Sequence, residues 1–272
     1  MIKLGPAAAG LALLATLTTL AHADGDYISP TDDRVRVSLG IMRVSSATTL
    51  RVDSSTGVPG TPVDGESQFG LDKSDFEPKF QVMLRAGERN RLWLDYFTLD
   101  RDGSIVVTQP IVFRDVVLQP GDPLQSQLDL RLLSLTYGYS FWHSEKLELA
   151  ATLGVTSVEI DAEAKVATEA VHIDQTEDVA GPYPTPGLAA TWAVSRHFYF
   201  DARVQYLSLH IHELDGSLGM GEIDALYRLR PNVSFALGYT DTKAHVESTK
   251  TGDSGLFDFN SKGPQLFVRV SF

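Results

Sequence analysis

Leu133, Leu135, Tyr137, Tyr139 and Phe141 occupy every second position, with Ser134, Thr136, Gly138 and Ser140 between them. Successive side chains of a strand point to opposite faces. This stretch therefore predicts a strand with one broad apolar face and one small, mostly polar face. The alternation recurs along the chain. Val35, Val37, Leu39 and Ile41 alternate with Arg36, Ser38 and Gly40, and Phe80, Val82 and Leu84 with Lys79, Gln81, Met83 and Arg85. Leu92, Leu94 and Tyr96 alternate with Trp93, Asp95 and Phe97. Further strands are predicted around Leu147 to Val155, Leu188 to Val194, Phe198 to Tyr206, Ile223 to Leu229, Val233 to Tyr239 and Leu266 to Phe272.

The connections fall into two kinds. Gly87-Glu88-Arg89-Asn90, His143-Ser144-Glu145-Lys146, Ser195-Arg196-His197 and Pro231-Asn232 are tight polar turns. Long stretches separate the remaining strands: Asp53 to Asp75, Asp100 to about Gln127, Asp161 to Pro184, a shorter one from Asp215, and Asp241 to Lys262. Ile105 to Val107 and Ile111 to Leu118 are apolar enough for strands. The first is too short before Gln109-Pro110 for the roughly 9–11 residues that span a membrane, so a β-hairpin projecting above it is expected. Short and long connections alternate as they do between the two sides of a membrane barrel. The fold class predicted is an all-β, transmembrane, antiparallel up-and-down β-barrel of about ten strands, with eight or twelve as the alternatives.

The chain closes on GPQLFVRVSF, Gly263 to Phe272, with Leu266, Val268, Val270 and Phe272 on one face and Gln265, Phe267, Arg269 and Ser271 on the other. This strand resembles the closing strand of Gram-negative outer-membrane β-barrel proteins. The resemblance implies a place in the cell outer membrane among its lipid and lipopolysaccharide. It also implies that Phe272 is part of the signal read by the barrel-assembly machinery. The other end of the chain fits export. Lys3, the apolar run Leu11 to Leu20, and Ala21-His22-Ala23 predict a signal peptide over residues 1–23, cleaved before Asp24. A barrel domain over 24–272 follows.

Composition narrows the class further. There is no cysteine, so no disulfide holds the exported chain. A mean hydropathy of -0.05 suits strands that average a lipid face with a lumen face. The formal charge of -12 argues against a nucleic-acid partner, which calls for a basic surface. Asp129 and Arg131 share parity with Leu133, so they belong above the hydrocarbon as solvated rim charges, and Arg43 sits at the same level.

The inward face collects Arg36, Lys79, Arg85, Asp95, Glu148, Asp201, Arg203, Glu222, Asp224, Arg228, Arg230 and Arg269. Both signs interleave. Buried charges need partners, and about ten strands enclose little more room than the eight whose side chains fill the interior. These twelve residues are therefore expected to form a charge network that mostly plugs the lumen. Catalytic constellations are weaker. Glu222 and Asp224 share a face but also share it with Arg228 and Arg230, and ion pairing accounts for them. His210-x-His212 faces outward without a third ligand, so neither metal nor cofactor is expected. His143 and Ser144 lie in a tight turn and, if extended, point to opposite faces. Ten strands is also the size of the omptin surface proteases, whose rim site combines an Asp pair with an Asp–His pair. His212 with Asp215, and Glu222 with Asp224, resemble it loosely, departing in the Glu and in the outward histidine. The function expected is a non-enzymatic outer-membrane barrel with an envelope-structural role, or a surface role in which the loops meet an extracellular ligand. The alternatives are a rim hydrolase or protease and a narrow solute channel.

Overall fold

The computed structural model describes residues 28–54, 58–113, 116–166, 169–174, 183–211, 213–250 and 254–272. The signal peptide expected over 1–23 lies outside them. Among the described residues fourteen strands follow in chain order: β1 (Val35–Val52), β2 (Val63–Asp64), β3 (Ser74–Ala86), β4 (Asn90–Val106), β5 (Ile111–Phe113), β6 (Val116–Leu118), β7 (Pro123–His143), β8 (Leu147–Val166), β9 (Glu169–Asp174), β10 (Tyr183–Ala193), β11 (Phe198–Ile211), β12 (Leu214–Arg230), β13 (Val233–Ser248) and β14 (Gly255–Ser271). Ten of them, β1, β3, β4, β7, β8 and β10 to β14, form one antiparallel ring, closed by β1 on β14 and by β8 on β10. The ring seals its own hydrogen bonds. Val35 N donates to Phe272 O and Phe272 N to Val35 O, which brings the start of β1 and Phe272 to the edge that carries the tight turns.

The alternation sorts the walls as expected. Leu92, Leu94, Leu135, Tyr137, Leu153, Trp192, Ile223, Tyr227, Leu237 and Leu266 stand exposed on the outside. Such a band in water would be an aggregation surface; against lipid it is the matching face. Inside, Arg36, Ser38, Ser134, Thr136, Glu148 and Arg269 are buried. Glycines make room where the bulk is greatest. A Cβ on Gly138 would lie 2.5 Å from the Trp93 ring, and one on Gly238 would meet the Asp224 carboxylate.

The strands are far longer than a membrane requires. β7 has 21 residues, about 70 Å of extended chain at about 3.4 Å per residue, against the roughly 9–11 needed to span. The excess rises on the side of the long connections. There the pattern inverts: Leu124, Leu128 and Leu130 of β7 turn inward and are buried, while Gln125, Gln127 and Arg131 face out. Water outside and an apolar filling inside replace lipid outside and a polar filling inside. Arg131 pairs on the outer wall with Glu159 at 3.1 Å, a solvated contact as expected.

Three expectations about connections are corrected. The stretches beginning at Asp215 and Asp241 are mostly strand, because β11–β12 and β13–β14 continue upward in unbroken register. The hairpin expected to project is real but short, β5 on β6, and it folds onto the barrel: Ile111 and Leu118 are buried in the apolar filling. The stretch Asp53 to Asp75 also turns inward. β2 pairs with β1, and Val63, Phe69 and Leu71 join the same cluster.

Candidate functional site: the barrel interior

From the turn side upward, the interior holds three layers. The lowest is the segment before β1. Arg36 and Arg228 both reach Asp33: Arg36 Nε donates to Oδ2 at 3.2 Å, and Arg228 Nη2 to both oxygens at 3.1 and 3.2 Å. Backbone carbonyls of the same segment accept from lumen arginines, Ile28 O and Pro30 O from Arg228 and Arg36, and Thr31 O from Arg85. Ser29 Oγ donates to Glu145 O at 2.6 Å. The chain leading into the barrel thus lies across its lower opening.

The middle layer is the charge network. Arg85 binds Glu148 through two hydrogen bonds of 2.9 and 2.7 Å, and Arg91 Nη1 lies 3.2 Å from the same carboxylate. Arg36 and Arg269 converge on Asp201, and Arg269 Nε donates to Ser38 Oγ. Arg203 donates to Asp95 at 2.7 Å and lies 3.7 Å from Glu222, which Lys79 also holds. Lys79 donates further to Gln265 Oε1 at 2.9 Å, and Gln265 Nε2 donates to Asp224 at 2.5 Å. Trp93 lies under two guanidinium groups, Arg91 at 4.8 Å and Arg203 at 5.8 Å from its ring centre, an arrangement that favours cations over the ring face.

Eleven of the twelve residues expected on the inward face lie in this interior. Arg230 does not. A bulge between Arg228 and Arg230 shifts the register against β13, and the Arg230 side chain is exposed. Nor do Glu222 and Asp224 pair with Arg228, which is taken by Asp33. Arg91 and Asp33 belong to the network without having been singled out. Arg91 shares parity with Trp93 and Asp95 and was legible from that; Asp33 precedes the first alternation and gave no such signal.

The upper layer is apolar. Met42, Val44, Leu99, Leu128, Leu130, Val158, Ile160 and Phe259 from the walls pack with Val63, Phe69, Leu71, Ile111 and Leu118 from the infolded connections. One ion pair is buried with it: Arg101 donates to Glu66 at 2.6 Å, to Thr48 Oγ1 at 2.8 Å and to Asp72 O. Between this cap and the charges lies a cavity of about 80 Å³, with Lys79, Asp95, Arg203 and Glu222 on one side and Met42, Phe97 and Leu132 on the other. It has room for a few water molecules.

Among the described residues the catalytic candidates do not assemble. Glu222 and Asp224 are inside, whereas His210 is exposed on the outer wall, 3.2 Å from Asp215. His212 lies outside the described residues. His143 Nε2 contacts Thr31 O and Asp32, while Ser144 Oγ caps its own turn through Leu147. Among the described residues, no group of three or more His, Cys, Asp or Glu is placed to hold a metal ion. A second rim pair, His245 Nδ1 to Asp258 at 2.5 Å, bridges β13 and β14.

No family model matches the sequence, and comparison with curated proteins finds no match. Solved structures do match. The outer membrane protease OmpT of Escherichia coli shares 10% identity, with a TM-score of 0.57, over 91% of this chain and 99% of that one. The translocator domain of the autotransporter NalP from Neisseria meningitidis shares 10% over 98% and 97%, with a TM-score of 0.45. Ail, the attachment invasion locus protein of Yersinia pestis, shares 8% over 88% and 99%, with a TM-score of 0.36. At 10% identity the likeness to the protease concerns the fold alone, an outer-membrane β-barrel, and the exposed apolar belt of this chain suits it to that membrane.

Proposed function

We propose that the protein is a non-enzymatic outer-membrane barrel that does not conduct, and that acts through its wall and raised extracellular end in envelope structure or surface contact. One observation carries this reading. The interior is occupied in sequence by the 28–33 segment, the interlocked charges and the apolar cap, with the charges engaged by one another. Eight-to-ten-strand barrels have the width for such filling. Purified protein in planar bilayers should show no steady conductance above the bare membrane; a steady, ion-selective current would overturn the reading. The exposed terminal Phe272, beside the β1–β14 closure, is read as the residue offered to the assembly machinery. Its deletion should lower the fraction of protein that migrates as a heat-modifiable, folded barrel, and an unchanged fraction would remove that role.

A further inference from the structure

The wall of the barrel has a seam. The β10–β11 ladder ends at Gly187↔Gln205, although β11 runs on to Ile211 and β10 continues up β8 as far as Tyr183↔Thr156. The cause lies in the sequence Pro184-Thr185-Pro186. Ala193 N donates to Lys146 on the β8 side, and Val194 N to Phe198 on the β11 side. Backbone direction alternates along a strand, so even-numbered residues of β10 turn toward β11. Leu188 is the last of these with an N–H to give; Pro186 and Pro184 have none. Gln205, at the last paired position, reaches Thr185 with its side chain, its Nε2 at 3.3 Å from Thr185 O and Oγ1.

An apolar pocket lies just inside this seam. Its volume is about 50 Å³; Leu207 and Leu209, on the β11 flank of the seam, line it together with Val158 and Ile160 of β8. Leu218, Val246 and Phe257 line the rest. Of its two polar neighbours, Ser217 is opposite the exposed Ser208, and His245, opposite Ser217, is engaged with Asp258, so both have outward parity. Outside the seam the surface is the lipid-facing belt. Leu153 and Val155 stand exposed beside the two prolines, and Val204 and Tyr206 across from them. An apolar surface therefore runs from the belt to the pocket at a place where no ladder closes the wall among the described residues.

We propose that this seam admits an acyl chain of an outer-leaflet lipid, whose end occupies the pocket. This goes beyond the reading of a sealed lumen, since the pocket lies above the charges and no solute crosses. The chain has no cysteine, and a Cβ at Gly216, opposite Leu209 on the pocket wall, would meet only the His245 carbonyl at 3.6 Å. A bimane label on Gly216→Cys, in phosphatidylcholine vesicles brominated along the lipid chains, should be quenched at least half as strongly as one on the lipid-facing Leu237→Cys. Iodide in the water should quench it little. A label on Ser46→Cys, inside the opposite wall, should feel neither. Adding Pro184→Val and Pro186→Val supplies the missing N–H groups and should cut the bromine quenching at Gly216→Cys by more than half. Heat-modifiable migration shows which labelled proteins are folded; Leu209→Cys replaces Gly216→Cys if the latter is not. Quenching by iodide alone, by both quenchers equally, or by neither overturns the proposal. So does bromine quenching that the two valines leave unchanged.

Discussion

Glu148 shows how much a single lumen residue carries. Its side chain is wholly buried and answers two arginines, Arg85 and Arg91, as well as Ser140. Removing one partner of a buried pair leaves the other charge uncompensated and costs about 3–5 kcal/mol. Glu148→Gln should lose stability on that scale in urea unfolding from lipid vesicles, whereas Arg230→Ala, exposed beyond the bulge, should change it by less than about 0.5 kcal/mol. Equal effects would discard the network as a structural unit. Outside the membrane, Asp53 is informative. Burial raises its pKa, but the Gly60 N–H, Ser254 and Arg51 outweigh this and leave it below the ordinary 3.8. A carboxylate held below its unfolded value adds stability above that value and loses it as pH falls through the lowered one. Hydrogen exchange at Gly60 N–H should therefore be faster in Asp53→Asn than in the parent at neutral pH. The difference should shrink only below pH 3.8. Parity made Arg36, Asp201 and Arg269 legible in the sequence, as it did Arg91. It failed at Arg230, where the bulge resets the face, and at Asp33, which no periodic pattern precedes.

At the scale of elements, the membrane-spanning halves of the strands were legible and the raised halves were not. Alternation announces a strand through its contrast with the solvent on each face. Where Leu133 meets lipid and Ser134 the lumen, the contrast is strong. Higher on β7 the outer solvent is water and the filling apolar, so Leu130 and Arg131 exchange roles and the pattern reads as its own interruption. In β12, glycines at 216, 219 and 221 add a loop-like composition to a paired strand. The connections inverted in the same sense, since Phe69 and Ile111 are drawn inward by the cap. An epitope inserted after Pro120, beside the open turn at Gly121 (φ 100), should be accessible on intact cells. One at Glu88, in the tight turn after Gly87, should not be. Surface exposure of Glu88 would invert the barrel.

For the whole molecule, the proposed function requires the lumen charges to hold the barrel together rather than select ions. Two variants separate these roles. Asp201 accepts from Arg36 and Arg269, and Arg203 binds Asp95 beside Glu222, so neither can be changed without leaving a buried group unanswered. An unsatisfied buried polar group costs about 1–3 kcal/mol. In a wide wet pore, water would solvate the same orphan, stability would barely move, and ion preference would change instead. The decisive measurement is urea unfolding of Asp201→Asn and Arg203→Ala in lipid vesicles, run beside planar-bilayer conductance on the same preparations. A plugged lumen predicts stability lowered by about 1–3 kcal/mol in each, with no steady current in the parent. Unchanged stability together with a parent current whose selectivity shifts in Arg203→Ala would contradict it.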